Sequence, residues 1–282
     1  GFTELLKERG YHCEGGIEVT LQEAATETIC IAYADGKAEI TASEKAFLFR
    51  GLMTLVMKLE KNGEAAFTEE ETVQFDHNGS MVDSSRNCVM SVEAVKAWIR
   101  MQASVGMNTL MLYTEDTYEV PGYPYFGALR GRYTAEELKE MDAYGAALGV
   151  ELIPCIQSLG HLQQPLLWAG MSELRDTSDI VCVGDEKVYA FIRACIHQVA
   201  QCFSTRKVHL GMDEAWSLGL GRYLLKNSYT PKREIIRKHM ARVMDICREE
   251  GLEPMIWSDM YFRVHSKNEQ YYDVPFDTDM KS

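Results

Sequence analysis

The sequence predicts an α/β protein in which a small α+β domain precedes a larger domain of the (β/α)8 TIM-barrel type. Beyond Gly79, short apolar strands alternate with amphipathic helices, which is typical of a parallel sheet covered by helices on both faces. Each of these strands runs into charged or polar residues at its carboxyl end, where a barrel gathers its functional groups. A doubly wound sheet shows the same alternation, but no Gly-x-Gly-x-x-Gly follows the first strand. We therefore favour the barrel.

The small α+β domain is predicted to occupy residues 1–78. Its expected elements are two strands, a helix and a closing strand, at residues 16–19, 28–33, 41–63 and up to 74. The helix start rests on a capping-box pattern from Thr41 to Glu44, and its end on Asn62-Gly63. Because residues 76–79 are polar and turn-forming, we place the boundary there, and the second domain spans 79–282.

The second domain is predicted to contain five parallel strands joined by helices. Helix starts are indicated by a Thr134/Glu137 capping box and by Asp185, and three helices end at Gly106, Gly149 and Gly251. The predicted strands lie at residues 81–83, 109–114, 150–156, 207–212 and 254–258. Since a closed barrel has eight strands, we expect this chain to hold about five-eighths of the barrel and to be incomplete at its C-terminus.

Composition and charge argue against several classes of protein. Hydrophobic residues make up 46% and charged residues 25%, as in a globular protein, and no apolar run is long enough for a membrane span. The formal net charge of -13 argues against nucleic acid and membranes as partners. The eight cysteines include no Cys-x-x-Cys pair and are interpreted as reduced, which favours a cytoplasmic location. Secretion stays open if a signal peptide has been removed.

The clearest chemical signal is a pair of adjacent carboxylates, Asp213 and Glu214, directly after the apolar strand that begins at Lys207. Where a strand gives way to a loop, neighbouring side chains can face the same pocket. Two carboxylates held close together resist ionising together, so one supplies an acid and the other a negative charge. A helix N-terminus would explain the same two residues, so the pair alone leaves both interpretations open.

The residues around this pair resemble glycoside hydrolase family 20, the β-N-acetylhexosaminidases. The run from His209 to Glu214 matches the family's His-x-Gly-x-Asp-Glu signature after the fourth barrel strand, although Met212 stands where many members have a small residue. The other elements of the resemblance are an arginine, an acidic pair, a Gly-His and a tryptophan on the remaining strands, at Arg86, Glu115-Asp116, Gly160-His161 and Trp257. The preceding α+β domain also resembles the family's usual N-terminal unit.

This resemblance implies an exo-acting, retaining glycoside hydrolase that removes terminal β-linked N-acetylglucosamine or N-acetylgalactosamine. In this family the 2-acetamido oxygen of the substrate attacks the anomeric carbon, so the enzyme needs no nucleophile of its own. Glu214 would act as general acid and base, and Asp213 would orient the acetamido group and offset its developing positive charge. We expect no cofactor and no metal ion. The expected partner is an oligosaccharide or glycoconjugate with a terminal N-acetylhexosamine.

Two further residues are expected to help bind the substrate at the strand ends. Arg86 would clamp sugar hydroxyls at the non-reducing end, and its alternative is a surface salt bridge. His161 would hydrogen-bond an acidic neighbour, Glu115 or Asp116, and through it tune Glu214. A satisfied core histidine is the alternative, and the sequence does not decide which acidic residue would pair with it.

Aromatic residues are expected to shape the rest of the pocket. Trp257 would form a wall for the acetamido methyl group, with a place in the core as the alternative. His209 lies inside a strand and is interpreted as structural. The aromatic loop at 118–133 would stack on sugars at the rim, or pack on itself. Further pocket residues are expected beyond Ser282, so this fragment itself is expected to lack a complete pocket.

Three other functions stay open on the sequence alone. A metal-dependent barrel hydrolase would use His161, His209, Asp213 and Asp259, but neither His-x-His nor His-Glu-x-x-His is present. A glycosidase of another barrel family would use one of the carboxylates as a true nucleophile. A catalytically incomplete, carbohydrate-binding fragment is the non-enzymatic alternative. The exposed edge strands of an incomplete barrel also leave homodimerisation open.

Overall fold

The computed structural model describes residues 1–12, 16–86, 88–264 and 266. Its strands are β1 (Glu18–Glu23), β2 (Thr28–Ala34), β3 (Lys37–Ala42), β4 (Phe67–Thr72), β5 (Gly79–Asp83), β6 (Thr109–Glu115), β7 (Glu151–Ile156), β8 (Lys207–His209) and β9 (Glu253–Met255). Its helices are α1 (Phe2–Glu8), α2 (Lys45–Asn62), α3 (Val92–Ser104), α4 (Ala135–Leu148), α5 (Gln163–Leu166), α6 (Glu186–Cys202), α7 (Arg222–Asn227), α8 (Lys232–Glu249) and α9 (Asp259–Arg263), with a 3₁₀ helix at Ala169–Leu174.

A four-stranded sheet in the order β1-β3-β2-β4 packs one face on helix α2. Side chains alternate between the two faces of each strand, so Ile29, Ile31 and Ile40 all lie on the buried face. Gly51 lets α2 approach this face closely, because a Cβ at that position would lie 2.5 Å from the Ile40 side chain. The sheet and α2 therefore share one small apolar core.

Strand β3 is absent from the elements predicted for this region, and the predicted capping box before α2 is wrong. Thr41 lies within β3, and Glu44 is the N-cap of α2 without a side-chain hydrogen bond to the helix. β3 pairs antiparallel with β2 and parallel with β1, which places Ile40 opposite both Ile31 and Leu21. Because β3 has a neighbour on each side, sheet pairing outweighs the local capping pattern.

A five-stranded sheet in the chain order β5-β6-β7-β8-β9 has at least one helix between successive strands. β8 pairs in parallel with both β7 and β9. The predicted α/β fold of the (β/α)8 barrel type is confirmed, and the described strands form a five-stranded part of it. Strand β8 ends at His209, earlier than predicted, because Gly211 and Met212 both have a φ of 69° and turn the chain out of the sheet.

The helix starts and ends predicted for the second domain are confirmed. The N–H of Glu137 donates to Oγ1 of Thr134 at 3.2 Å, and the N–H of Thr134 donates to Oε2 of Glu137 at 2.8 Å, which completes the capping box. Asp185 caps α6 by accepting the N–H of Lys187 at 3.1 Å. The three helix-ending glycines have positive φ angles, at Gly106, Gly149 and Gly251.

Residue contacts divide the chain into two compact units. The first comprises Gly1–Val82, Met90–Met111 and Glu140–Leu152, and the second comprises Asp83–Val89, Leu112–Lys139 and the described residues from 153 onward. The second unit contains every predicted site residue. The predicted domain boundary between residues 78 and 79 stays a prediction. Within the described ranges, no helix is long and apolar enough to cross a membrane.

Candidate active site

The adjacent carboxylates Asp213 and Glu214 lie in the segment that leaves strand β8. Gly211 is required at the start of this segment, because its φ is positive and a Cβ there would lie 2.0 Å from Oε1 of Gln157. The side chain of Asp213 is 19% exposed, whereas that of Glu214 is 61% exposed. The turn therefore presents one sheltered and one open carboxylate at the end of the same strand.

Four non-glycine residues with left-handed backbone conformations lie at the ends of β6, β7 and β8. The φ angles of Glu115, His161, Met212 and Glu214 are 43°, 52°, 69° and 50°. Such conformations cost on the order of 1–3 kcal/mol each and cluster at functional sites, where a particular side chain is needed at that position. The backbone thus marks these three strand ends as a candidate site before any side chain is considered.

The imidazole of His161 lies against both members of the carboxylate pair. Its Nε2 is 3.0 Å from Oδ2 of Asp213 and 3.6 Å from Oε2 of Glu214. A hydrogen bond to Glu115 or Asp116 was the expectation, and the structure corrects it. Strands β7 and β8 are neighbours, with Cys155 opposite His209, so the segments that follow them meet and His161 reaches the β8 carboxylates.

The surroundings of His161 and Asp213 favour a charged pair. Burial raises the pKa of Asp213, but its contacts with His161 and Gln157 outweigh burial and hold the pKa below its usual range. The contact with Asp213 raises the pKa of His161, against an opposing effect of burial. The geometry therefore favours the carboxylate form of Asp213 and the protonated form of His161. The expectation that one carboxylate of the pair keeps its proton while the other stays charged remains a prediction.

A chain of hydrogen bonds holds Oδ1 of Asp213, the carboxylate oxygen that does not face His161. Nε2 of Gln157 donates to Oδ1 of Asp213 at 2.9 Å and to the Tyr113 hydroxyl at 3.0 Å. The Tyr113 hydroxyl in turn donates to Oε1 of Glu115 at 2.9 Å. Oε1 of Gln157 accepts the N–H of Met212 at 3.3 Å, which sets the orientation of the amide. Each donor in this chain therefore has an acceptor, and the chain connects the ends of β6, β7 and β8.

Neither Gln157 nor Tyr113 has a role in the sequence-based prediction. Both are buried, with 2% and 4% of their surface exposed. The available signal was a polar side chain in an otherwise apolar strand end, since buried polar groups need hydrogen-bond partners. That signal predicts that such residues form hydrogen bonds, but it does not name the partner. The pairing with Asp213 depends on the placement of β7 beside β8.

Arg86 lies at the edge of this network and keeps much of its side chain open. Its Nε donates to Oδ2 of Asp83 at 2.6 Å and lies 4.0 Å from Oε1 of Glu115. Its guanidinium carbon is 5.0 Å from the centre of the Tyr113 ring. With 60% of the side chain exposed, the guanidinium is oriented by Asp83 and still accessible to a ligand. Both the predicted clamp and the alternative salt bridge are thus compatible with its position.

Asp116 is separated from the network although it follows Glu115 directly in the chain. Its Oδ1 lies 3.2 Å from a terminal guanidinium nitrogen of Arg130, and only 2% of the residue is exposed. The same nitrogen donates to the Ser85 carbonyl at 2.8 Å. Burial raises the pKa of Asp116 and outweighs the opposing effect of Arg130. Asp116, one of the two acidic partners considered for His161, therefore lies against Arg130 instead. Its expected part in substrate binding stays a prediction.

His209 and Trp257 pack against each other beside the turn that carries the carboxylates. Their ring centres are 4.7 Å apart and their ring planes are inclined by 60°. His209 is 4% exposed, its Nδ1 accepts the N–H of Gly211 at 3.2 Å, and burial lowers its pKa, in line with the structural role predicted for it. Trp257 is 39% exposed, and its backbone N–H donates to the Gly211 carbonyl at 3.1 Å. Its role as a wall of a sugar pocket stays a prediction.

Asp259 supports the catalytic candidates through the backbone. Its Oδ2 accepts the N–H of Glu214 at 3.1 Å, which helps to hold the left-handed turn. The rival prediction grouped Asp259 with His161, His209 and Asp213 as metal ligands. Among the described residues, no three His, Cys, Asp or Glu side chains are arranged to hold a metal ion, so the geometry lends that alternative no support.

Comparison with known proteins gives consistent matches. The family model described as glycosyl hydrolase family 20, catalytic domain, matches residues 75–274. The chain is 26% identical over 237 residues to a beta-hexosaminidase of Akkermansia muciniphila, covering 71% of this chain and 48% of that protein. It is 27% identical over 171 residues to hexosaminidase D of Homo sapiens, covering 56% of this chain and 34% of that protein.

Solved structures give the same fold. A crystal structure of a beta-N-acetylhexosaminidase superposes with a TM-score of 0.72 at 22% identity, covering 86% of this chain and 61% of that one. The GH20 beta-N-acetylhexosaminidase of Streptomyces coelicolor gives 0.69 at 23% identity, covering 86% and 55%. The present chain thus spans between 34% and 61% of the length of these relatives. The family match covers most of the chain. On that match, the chain belongs to glycosyl hydrolase family 20.

Proposed function

We propose that the protein is an exo-acting, retaining β-N-acetylhexosaminidase that removes terminal β-linked N-acetylhexosamine by substrate-assisted catalysis. The observation that carries the proposal is the position of Asp213 and Glu214 on one imidazole nitrogen of His161, at 3.0 Å and 3.6 Å. Membership of the family and the hexosaminidase relatives support the reaction class.

The contacts of Asp213 favour a role in orienting and stabilising the acetamido group, rather than a role as nucleophile. Both of its oxygens have partners, Gln157 on Oδ1 and His161 on Oδ2, and these contacts hold its pKa below the usual range. A carboxylate held in this way is a weak nucleophile, but it is well placed to accept an acetamido N–H and to stabilise positive charge on that group. The substrate's own acetamido oxygen would then attack the anomeric carbon and give a cyclic oxazolinium intermediate.

Glu214 would supply the proton that the leaving group needs. Its side chain is the more open of the two carboxylates, so a glycosidic oxygen can reach it. In the first step Glu214 would protonate the leaving oxygen as the bond to the anomeric carbon breaks. In the second step it would accept a proton from the water that opens the oxazolinium ring. Two inversions at the anomeric carbon give net retention.

The remaining residues would bind the terminal sugar. Arg86 is oriented by Asp83 and lies near Glu115. Arg86 can therefore donate to the hydroxyls at the non-reducing end, and Glu115 can accept from them. A clamp on that end would favour exo action. Trp257, which is partly exposed beside the carboxylate turn, would contact the acetamido methyl group.

The test is hydrolysis of an aryl N-acetyl-β-hexosaminide by the full-length protein. We expect Glu214→Gln to lower kcat by about 10²- to 10⁴-fold and Asp213→Asn by about 10²- to 10³-fold. The aryl β-glucoside without the acetamido group should not be cleaved, and its cleavage at a similar rate would point to an enzyme nucleophile instead. Wild-type rates in both variants would refute the proposed mechanism.

A further inference from the structure

A short hairpin between the 3₁₀ helix and α6 contacts both of the segments that carry the catalytic candidates. It is closed by an antiparallel bridge between Arg175 and Val181, and we call it the 175–181 hairpin. Asp176 directly follows the first bridge residue and is 7% exposed. A carboxylate this deeply buried needs hydrogen-bond donors, and the partners of Asp176 indicate what the hairpin does.

Asp176 holds the segment that follows Glu214 through three hydrogen bonds. Its Oδ2 accepts the N–H of Gly219 at 2.8 Å, and its Oδ1 accepts the N–H of Tyr223 at 2.7 Å. Its carbonyl accepts the N–H of Arg222 at 3.1 Å. Both carboxylate oxygens therefore have a backbone donor, and all three donors belong to the same segment.

The hairpin and this segment also lie very close together. A Cβ on Gly221 would lie 2.0 Å from the Asp176 carbonyl oxygen, so only glycine fits at that position. The guanidinium of Arg222 donates to the Glu173 carbonyl just before the hairpin. Close backbone packing and hydrogen bonds thus hold the segment at the same place.

The chain between Glu214 and Gly219 is short and internally bonded. The N–H of Trp216 donates to the Glu214 carbonyl at 2.7 Å. The N–H of Leu218 donates to the Ala215 carbonyl at 3.1 Å, and both of these residues are buried. Because the turns leave little slack, a displacement of Gly219 is passed on to Glu214, whose φ of 50° needs support from its surroundings.

The same hairpin holds the segment that carries His161. The N–H of Val181 donates to the Leu159 carbonyl at 3.1 Å. The N–H of Leu162 donates to the Asp179 carbonyl at 3.0 Å. These two bonds lie on either side of His161, which has a φ of 52°. The hairpin therefore supports both segments whose side chains meet at the carboxylate pair.

We propose that Asp176 is a positioning residue for the general acid Glu214, and that the 175–181 hairpin sets the distance between Glu214 and His161. The proposal rests on the proposed function for the role of Glu214. Oε2 of Glu214 lies 3.6 Å from Nε2 of His161. A general acid has to lie within hydrogen-bond reach of the leaving oxygen, so a loosened segment impairs proton transfer before any other step.

The kinetic test compares a nitrophenyl and a methoxyphenyl N-acetyl-β-hexosaminide with the full-length protein. Nitrophenolate leaves readily without a proton, whereas methoxyphenolate needs the proton of the general acid. Asp176→Asn keeps the size of the side chain but can accept only one of the two side-chain N–H bonds. We expect it to lower kcat/KM about tenfold for the methoxyphenyl substrate and less than about threefold for the nitrophenyl substrate. Equal losses on both substrates, or none on either, would overturn the proposal.

Two further variants separate positioning from a general loss of structure. Thr134→Ala is the matched control, because it also removes an acceptor of a backbone N–H, at the start of α4. We expect it to lower the melting temperature and to affect both substrates equally; a substrate difference like that of Asp176→Asn would count against the proposal. Arg222→Gln is a milder change at the hairpin, expected to show the same substrate difference at about two- to threefold. It decides the matter if Asp176→Asn does not fold, and equal effects on both substrates would then refute the positioning role.

Hydrogen exchange followed by mass spectrometry makes the result independent of catalysis. The amides of Gly219 and Tyr223 donate to Asp176, so peptides covering 215–223 should exchange about tenfold faster in Asp176→Asn than in the wild type or in Thr134→Ala. Unchanged exchange there would overturn the proposal. If the wild-type protein hydrolyses neither substrate, the proposed function fails, whereas this measurement still decides whether Asp176 holds the segment of Glu214.

Discussion

Replacing Gln157 with leucine tests how the candidate site holds Asp213. Leucine is of similar size but has no hydrogen-bonding groups, so Asp213 loses a donor at 2.9 Å and Tyr113 loses one at 3.0 Å. The N–H of Met212 also loses its acceptor. Hydrogen bonds to charged groups contribute about 1.5–3 kcal/mol. If the hydrogen bond from Gln157 to Asp213 acts mainly in the transition state, its loss lowers kcat/KM for an aryl N-acetyl-β-hexosaminide about ten- to a hundredfold.

The pH dependence separates this effect from a general loss of structure. Gln157 helps to hold the pKa of Asp213 below its usual range, so its removal raises that pKa. Asp213 then takes up a proton at higher pH, and the acidic limb of kcat/KM moves toward neutral pH. Stability should change in the same direction as activity. A carboxylate whose pKa is lowered by folding stabilises the fold at pH values above its unfolded pKa, and this stabilisation is lost as the pH falls through its folded pKa. The variant therefore loses part of this contribution.

Gln102→Leu is the matched control for this experiment. Gln102 is as deeply buried as Gln157, at 2% exposure, and its Nε2 donates to the Thr109 carbonyl at 3.2 Å. We expect this control to lower the melting temperature and to leave the acidic limb of the pH profile in place. If Gln157→Leu also left the acidic limb in place and lowered kcat/KM no more than the control, the reasoning about Asp213 would be refuted.

Two further predictions concern the same strand ends. Gly211→Ala should lower the free energy of unfolding by about 1–3 kcal/mol, because its φ is 69° and its Cβ would lie 2.0 Å from Gln157; an unchanged urea midpoint would contradict this. His161→Gln should cost more stability at pH 5.5 than at pH 8.5. Asp213 raises the pKa of His161, so the stabilisation is complete below about pH 6.5 and is lost as pH rises through the folded pKa. Equal urea midpoint shifts at both pH values would show that this linkage is absent.

The parts of the fold that the sequence predicts are those decided by local interactions. The glycines that end helices, such as Gly149, and the Thr134/Glu137 box act within a few residues, and the structure has them as expected. Strand β3 was not predicted, because its formation depends on pairing with β1 and β2, which are separate segments of the sheet. The same holds for Thr41, whose capping pattern is overridden by that pairing.

The candidate site shows the same division. The turn after β8 and its two carboxylates can be predicted from the sequence, because Gly211, Asp213 and Glu214 lie within four consecutive positions. The partner of His161 is not visible, since it depends on which strand ends are neighbours. Glu115 and Asp116 illustrate the limit most clearly. They are adjacent in the chain, yet the first bonds to Tyr113 and the second lies against Arg130.

The left-handed residues at the strand ends limit how far this protein can be made resistant to heat. A change to glycine would relieve such a conformation, because glycine adopts positive φ angles without steric cost. At Glu115, His161 and Glu214 that change removes a side chain of the candidate site. At Met212, which is 1% exposed, it would leave a cavity in the interior. Engineering for heat resistance therefore has to leave this end of the sheet as it is and gain its increments from the rest of the chain.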